Sequence, residues 1–289
     1  MLMEILIFSL ILGVFVGIAA GYVGSIMVME KMALVGDALS HVALPGLALG
    51  LLFNFNPFLG AFAFLFGSAV LIWQLRKVTR LSFETLVGTV FTLALAIGIL
   101  LVPETDLLEA LFGDISAVTI MDAIIAIIIT VMVIFLVRLI YKKIAISLIS
   151  EELAVSEGVN VSRVNLLYLL LVSLVVAIGI KVTGTLLVGF LVITPAAAAK
   201  TISSNLSRYL NLSAVFGAVS SFLGILVTTY LNTVYYFGGW PPLSELELVS
   251  SFLKLPFPQS IPPGPLVVLV GVLIFLAAII IRRVTKFSA

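Results

Sequence analysis

The stretch "VGDALSHVALPG", Val35 to Gly46, sets an aspartate and the chain's only histidine four residues apart in a run that otherwise has the composition of a membrane span. The whole chain shares that character. Of its 289 residues, 62% are hydrophobic and 10% charged, and its mean hydropathy is +1.33. A soluble domain needs a polar shell, and this composition cannot build one, so the solvent around the chain is a bilayer. Cysteine is absent, which excludes disulfide frameworks, thiolate metal sites and cysteine nucleophiles. A net charge of +1 argues against a nucleic-acid partner.

A helical span takes about 20 apolar residues. Nine segments are candidates: 5–27, 33–53, 57–75, 83–102, 121–141, 164–180, 184–200, 212–231 and 265–282. In lipid each backbone polar group must be satisfied within the segment or in a closed barrel. The short alternating strands of a barrel are missing, so the expectation is an all-α polytopic membrane protein. The first segment lacks the positive n-region of a cleaved signal peptide and reads as a retained span. Every connection is too short to hold a soluble domain, so residues 1–289 read as a single transmembrane domain.

Lys and Arg set the orientation. With nine spans, all 15 basic residues except Lys181 and Lys254 fall on one side. That puts the N-terminus outside and the C-terminus in the cytoplasm, and leaves the acidic stretch "PETDLLEALFGD" (103–114) on the outer face. The segment 232–264 is the one long outer connection. Within it, Ser244 to Leu255 has the pattern of a short amphipathic helix, with Leu246, Val249 and Leu253 on one face. It suits a membrane surface and a docking partner equally. Gly13, Gly17 and Gly21, and again Gly46 and Gly50, recur every four residues, a spacing that lets helix backbones approach closely.

Asp37 and His41 share one helix face, one turn apart. A carboxylate with an imidazole suits Mn, Fe(II) or Zn. An aspartate at the centre of a span costs about 2.5–3.5 kcal/mol on insertion scales, so it needs a partner or a use. Gly36, Ala38, Ser40 and Ala43 leave room around the pair. Pro45 withdraws one backbone N–H from the carbonyl of His41. The competing reading is structural: the two side chains pair with each other, or Asp37 caps a helix start. Two ligands are too few for a stable metal site. Water or a second copy of the chain related by a two-fold axis would have to complete it, and an incomplete site suits an ion that must leave again.

Several activities find no motif. H-E-x-x-H and G-x-S-x-G are absent, and so is the G-x-x-x-x-G-K-[ST] phosphate loop, so any ATP hydrolysis belongs to another subunit. The pairs Gly36-Asp37 and Gly113-Asp114 only partly match the G-x-G-D pattern of intramembrane aspartyl proteases. Glu84 reads as interfacial, and Lys181 as snorkelling from a span end.

Four segments, in order, resemble the permease subunits of metal-ion ABC importers of the manganese, zinc and iron(II) group. "ALVGDALSHVALPGLALG" (33–50) is similar to that family's signature and "ETLVGTVFTLALAIGILL" (84–101) to its fourth span. "LLEALFGDI" (107–115) and "VTGTLLVGFLVITPAAAAK" (182–200) match two further stretches. The resemblance implies an ABC permease of the metal/vitamin (type II) kind: a homodimeric core, two cytoplasmic ATPase subunits that use ATP, and an extracytoplasmic metal-binding protein. It also implies metal contact by Asp37 and His41. "SEELAVSEGVNV" (150–161) resembles the segment that couples such permeases to their ATPase, through Glu152, Ala154 and Gly158. Glu151, Glu152 and Leu153 can start a short helix there and Gly158 can end it in the left-handed conformation. Two features depart from the family: the outer segment 232–264 is longer, and there is no histidine-rich loop. Pro45 and Pro195 are expected to break or kink their helices. Two rivals stay open within transport, an ABC permease for a metal chelate or corrinoid and a stand-alone gradient-driven metal carrier.

Overall fold

The computed structural model describes residues 2–79, 81–101, 118–236 and 261–287. Among them the chain forms ten helices: α1 (Leu2–Met29), α2 (Ala33–Val42), α3 (Leu44–Leu52), α4 (Pro57–Thr79), α5 (Phe83–Leu101), α6 (Ile120–Ile149), α7 (Glu151–Ser156), α8 (Val161–Ile202), α9 (Leu206–Tyr236) and α10 (Pro263–Phe287). Eight helical stretches are long and apolar enough to cross a membrane, and Val188–Ile202 is a shorter apolar helix. The all-α polytopic expectation therefore holds. The acidic stretch 103–114 with Asp114, and Ser244 to Leu255, expected as an amphipathic helix, lie outside the described residues.

One expected span is broken, where its sequence suggested. The second divides at Ala43, with Pro45 at the start of α3, because a proline fits a first helical turn and not an interior. The helix does not break at Pro195, which keeps helical backbone angles inside α8. The break in α8 falls at Gly184, where the expected spans 164–180 and 184–200 meet, with φ 72° and ψ 174°. That conformation is essentially open to glycine alone.

The break reverses the chain. Gly179 and Val188 lie nine residues apart, which would be about 13 Å along a continuous helix. Instead Val188 packs so closely on Gly179 that a Cβ there would strike it. The ends of α8 agree with this. At its start, Trp73 Nε1 of α4 donates to the Ser162 carbonyl at 2.8 Å. At its end, Lys200 Nζ donates to the Val28 carbonyl at 3.4 Å, two residues before Glu30, which feels the charge of Arg76 on α4. Both ends of α8 thus lie on one side, and segments 164–180 and 184–200 form a helical hairpin closed by a single residue.

Small residues hold the helices together, as their spacing predicts. Gly17 of α1 and Gly217 of α9 each sit against the other's backbone carbonyl, while Gly13 and Gly21 meet Ile225 and Ser213 of the same helix. Gly46 of α3 packs in the same reciprocal way on Gly60 of α4, and Gly50 on Pro57. Polar contacts cross the bundle where the glycines bring it close. Tyr22 donates to Asn211 Oδ1 at 2.8 Å and accepts from Arg138 Nη2 at 3.3 Å, tying α1, α6 and α9.

Lys181 is not a free snorkelling cation. Its Nζ pairs with Asp122 Oδ1 at 2.5 Å and lies 5.1 Å from the centre of the Phe58 ring. Asp122 also closes a capping box at the start of α6, accepting from the Thr119 N–H at 2.8 Å. The pair ties the reversal end of α8 to the first turn of α6.

Two measurements check this packing. In detergent, Gly17→Leu should destabilise the chain by more than about 3 kcal/mol or prevent its recovery, because backbone cannot yield as a side chain does. Gly67→Ala, where a Cβ meets nothing within 4 Å, should stabilise it by about 0.5–1 kcal/mol. A double-mutant cycle of Asp122→Asn and Lys181→Gln, read by thermal unfolding, should give a coupling of about 1 kcal/mol, since both side chains are mostly buried.

Candidate functional site

Helix α2 is brought in by a tight turn. The Met32 N–H bonds back to the Met27 carbonyl at 2.9 Å, and Lys31 takes a positive φ of 59°. The chain re-enters a helix at Ala33 and runs for ten residues to Val42. Asp37 and His41 fall one turn apart on it, both half-buried. The Ser40 hydroxyl donates to the Asp37 backbone carbonyl at 2.6 Å and leaves the carboxylate free of that bond.

Two other elements complete the surroundings. Gly189, on the second limb of the α8 hairpin, lies directly on the Asp37 backbone, where a Cβ would collide with the Asp37 Cα and Cβ. From α5, the Phe91 ring sits 5.6 Å from the His41 ring, tilted by 52°. His41 is thus held against an aromatic edge, and the carboxylate of Asp37 lies within electrostatic reach of the imidazole.

The informative atom is His41 Nδ1, which is buried without a hydrogen-bond partner. Buried polar groups are nearly always satisfied, so an orphan of this kind calls for an explanation such as an ion. Among the described residues no group of three or more His, Cys, Asp and Glu side chains gathers to hold a metal ion. One imidazole and one carboxylate per chain is what α2 presents, a borderline nitrogen donor beside a hard oxygen donor.

The sequence pointed to Asp37 and His41 and passed over Gly184, Gly189 and Phe91. The signal for the glycines lay in "VTGTLLVG", where two glycines five residues apart interrupt an apolar run. Phe91 left none, since the contact depends on how α5 packs on α2.

The second candidate region is α7. Ser150 caps its start, accepting from the Leu153 N–H at 3.2 Å. Gly158 ends it with a φ of 75°. The Gly158 N–H bonds to the Val155 carbonyl and the Val159 N–H to that of Ala154, each at 2.9 Å, which is the Schellman arrangement. Ala154 is fully buried and anchors the helix to its neighbours. Glu152 faces out, beside Leu153 and Val155, which are 47% and 64% exposed. Glu152, Ala154 and Gly158 therefore belong to one small capped helix, but α7 is remote in sequence from Asp37 and His41 and packs mainly on α6 and α8.

Known proteins share this architecture. The manganese transport system membrane protein MntC of Listeria monocytogenes is 36% identical over 228 residues, 78% of this chain and 81% of that protein. The manganese import system permease protein ScaB of Streptococcus parasanguinis is 34% identical over the same shares. The high-affinity zinc uptake system membrane protein ZnuB of Buchnera aphidicola is 30% identical over 231 residues, 78% of this chain and 88% of that one. Among solved structures, a chain of PsaBC from Streptococcus pneumoniae in complex with Fab superposes with a TM-score of 0.74 at 30% identity, covering 97% of this chain and 94% of that one. An inward-facing conformation of a putative metal-chelate type ABC transporter has the same fold at 16% identity, with a TM-score of 0.70 and 96% and 87% of the two chains covered. Residues 2–235 match the model of the ABC 3 transport family, and with these relatives the chain is a multi-pass membrane permease that belongs to that family.

Proposed function

We propose that this chain is the permease of an ATP-driven importer of divalent transition-metal ions, Mn, Zn or Fe(II). The whole chain acts as one transmembrane permease domain in the cell membrane. We place its N-terminus outside and its C-terminus in the cytoplasm, the orientation that the bias of the basic residues favours. The observation that carries the metal reading is the buried, unpartnered Nδ1 of His41 on the same helix face as Asp37. The names of the relatives, manganese and zinc systems, support the same class of cargo.

The transported ion meets Asp37 and His41 on its way through. A two-fold axis would bring a second such pair to face the first, giving two carboxylates and two imidazoles around one path. That set binds a first-row dication well enough to select it and, lacking a rigid closed shell, weakly enough to release it. An extracytoplasmic metal-binding protein delivers the ion, and cytoplasmic ATPase subunits drive alternating access. These subunits grip α7: Glu152 faces them, Ala154 roots the helix in the permease, and Gly158 fixes its end. ATP is used in the partner, and this chain carries the ion without catalysing a reaction.

Mn(II) uptake into vesicles holding the permease, its ATPase and its delivery protein tests the ion path. Asp37→Ala and His41→Ala should each lower uptake at least tenfold while the ATPase still co-purifies. Competition by Zn(II) and Fe(II) then ranks the cargo. Retained uptake in both variants would leave the pair a structural contact. Uptake by the permease alone would favour a gradient-driven carrier, and indifference to free ions a chelate permease. For α7, Val155→Asp and Glu152→Arg should abolish ATPase co-purification and leave the unfolding temperature unchanged, since both side chains are exposed.

A further inference from the structure

Arg76 stands at a junction that neither the ion path nor the ATPase contact uses. It lies in the last turn of α4, and three elements converge on its guanidinium. From α7, Glu151 Oε1 lies 3.4 Å from Nη2. From α5, the Phe83 ring lies 3.7 Å beneath the guanidinium carbon. From the turn after α1, Glu30 lies within electrostatic range. Nη1 is buried with no hydrogen-bond partner. The cation is therefore shared by two carboxylates on different elements and saturated by neither.

Those two elements are the ones a transport cycle has to connect. Glu151 is the first residue of α7. Glu30 follows α1, its N–H bonded to the Ile26 carbonyl at 2.9 Å, and the turn it opens passes through Lys31 to the start of α2. Burial pushes the Glu30 carboxyl up to about 7, with Arg76 pulling the other way. The Glu151 side chain is 67% exposed, so its pair with Arg76 adds little to stability and is free to open.

We infer that Arg76 is a positioning residue that transmits the displacement of α7 to α2, its guanidinium moving between Glu151 and Glu30 as the two elements shift. When α7 moves away with its partner, the cation loses Glu151 and turns towards Glu30. That pulls on the α1–α2 turn and reorients the helix bearing Asp37 and His41. The stacking on Phe83 keeps the cation at the junction throughout. The inference rests on the proposed role of α7 as the ATPase contact.

The test uses the complete importer in vesicles and reads Mn(II) ions taken up per ATP hydrolysed, with ATPase co-purification measured alongside. Arg76→Gln should lower that ratio at least fivefold while hydrolysis and co-purification persist. Arg76→Lys, which keeps the charge, should recover part of it. Glu151→Gln and Glu30→Gln should each lower the ratio as well, and they serve if Arg76→Gln does not assemble. An unchanged ratio in the glutamate variants, or uptake and hydrolysis falling in proportion in all of them, overturns the inference. Undiminished co-purification in Val155→Asp and Glu152→Arg would instead remove the α7 reading, and it leaves the stoichiometry result legible by itself.

Discussion

Close backbone contact, made possible by missing side chains, is the constraint on which this protein depends. In a bilayer the apolar surface of a helix gains nothing by leaving lipid for another helix, so association rests on van der Waals contact and on interhelical hydrogen bonds. Gly17 against Gly217 and Gly46 against Gly60 supply that contact for two helix pairs. Gly189 does the same beside Asp37 and thereby fixes one wall of the candidate ion site. A side chain at position 189 would push α2 off the α8 hairpin and take the carboxylate with it. Packing and function meet at that one residue.

Charge is distributed sparingly and at the ends of elements. Asp122 and Lys181 join the start of α6 to the reversal end of α8. Arg76 gathers Glu30 and Glu151 near the opposite end. Between these two levels Asp37 and His41 share a single helix face, with an imidazole nitrogen left unsatisfied. A buried polar atom without a partner is costly, and a transport path is one setting in which an incoming ligand offsets that cost.

Much of this was legible in the sequence, for identifiable reasons. Length and hydropathy located the spans because lipid leaves the backbone so few options. Glycines every four residues announced close pairs, and Gly13, Gly17 and Gly21 all face α9. Glu151 and Glu152 marked the start of α7 and Gly158 its end, since such signals are local in sequence. What stayed hidden was the outcome of tertiary contact. The spans 164–180 and 184–200 were expected, but not that Gly184 alone would turn the chain between them. Lys181 read as snorkelling from a span end, and its partner Asp122 is 59 residues earlier in the sequence. Arg76 was only one of several basic residues counted for orientation, because its significance lies in the residues that surround it.

The single-residue turn in α8 has a mechanical result. Two helices joined by a long loop can slide past one another, but two joined at Gly184 have no slack. The second limb is a lever with its fulcrum at the turn. Gly189 is five residues from that fulcrum and Lys200 sixteen, so a small angular swing moves the lever's far tip roughly three times as far as the point resting on Asp37. The geometry makes the contact of Gly189 with Asp37 travel little relative to the hairpin's turn, and the Lys200 end travel most.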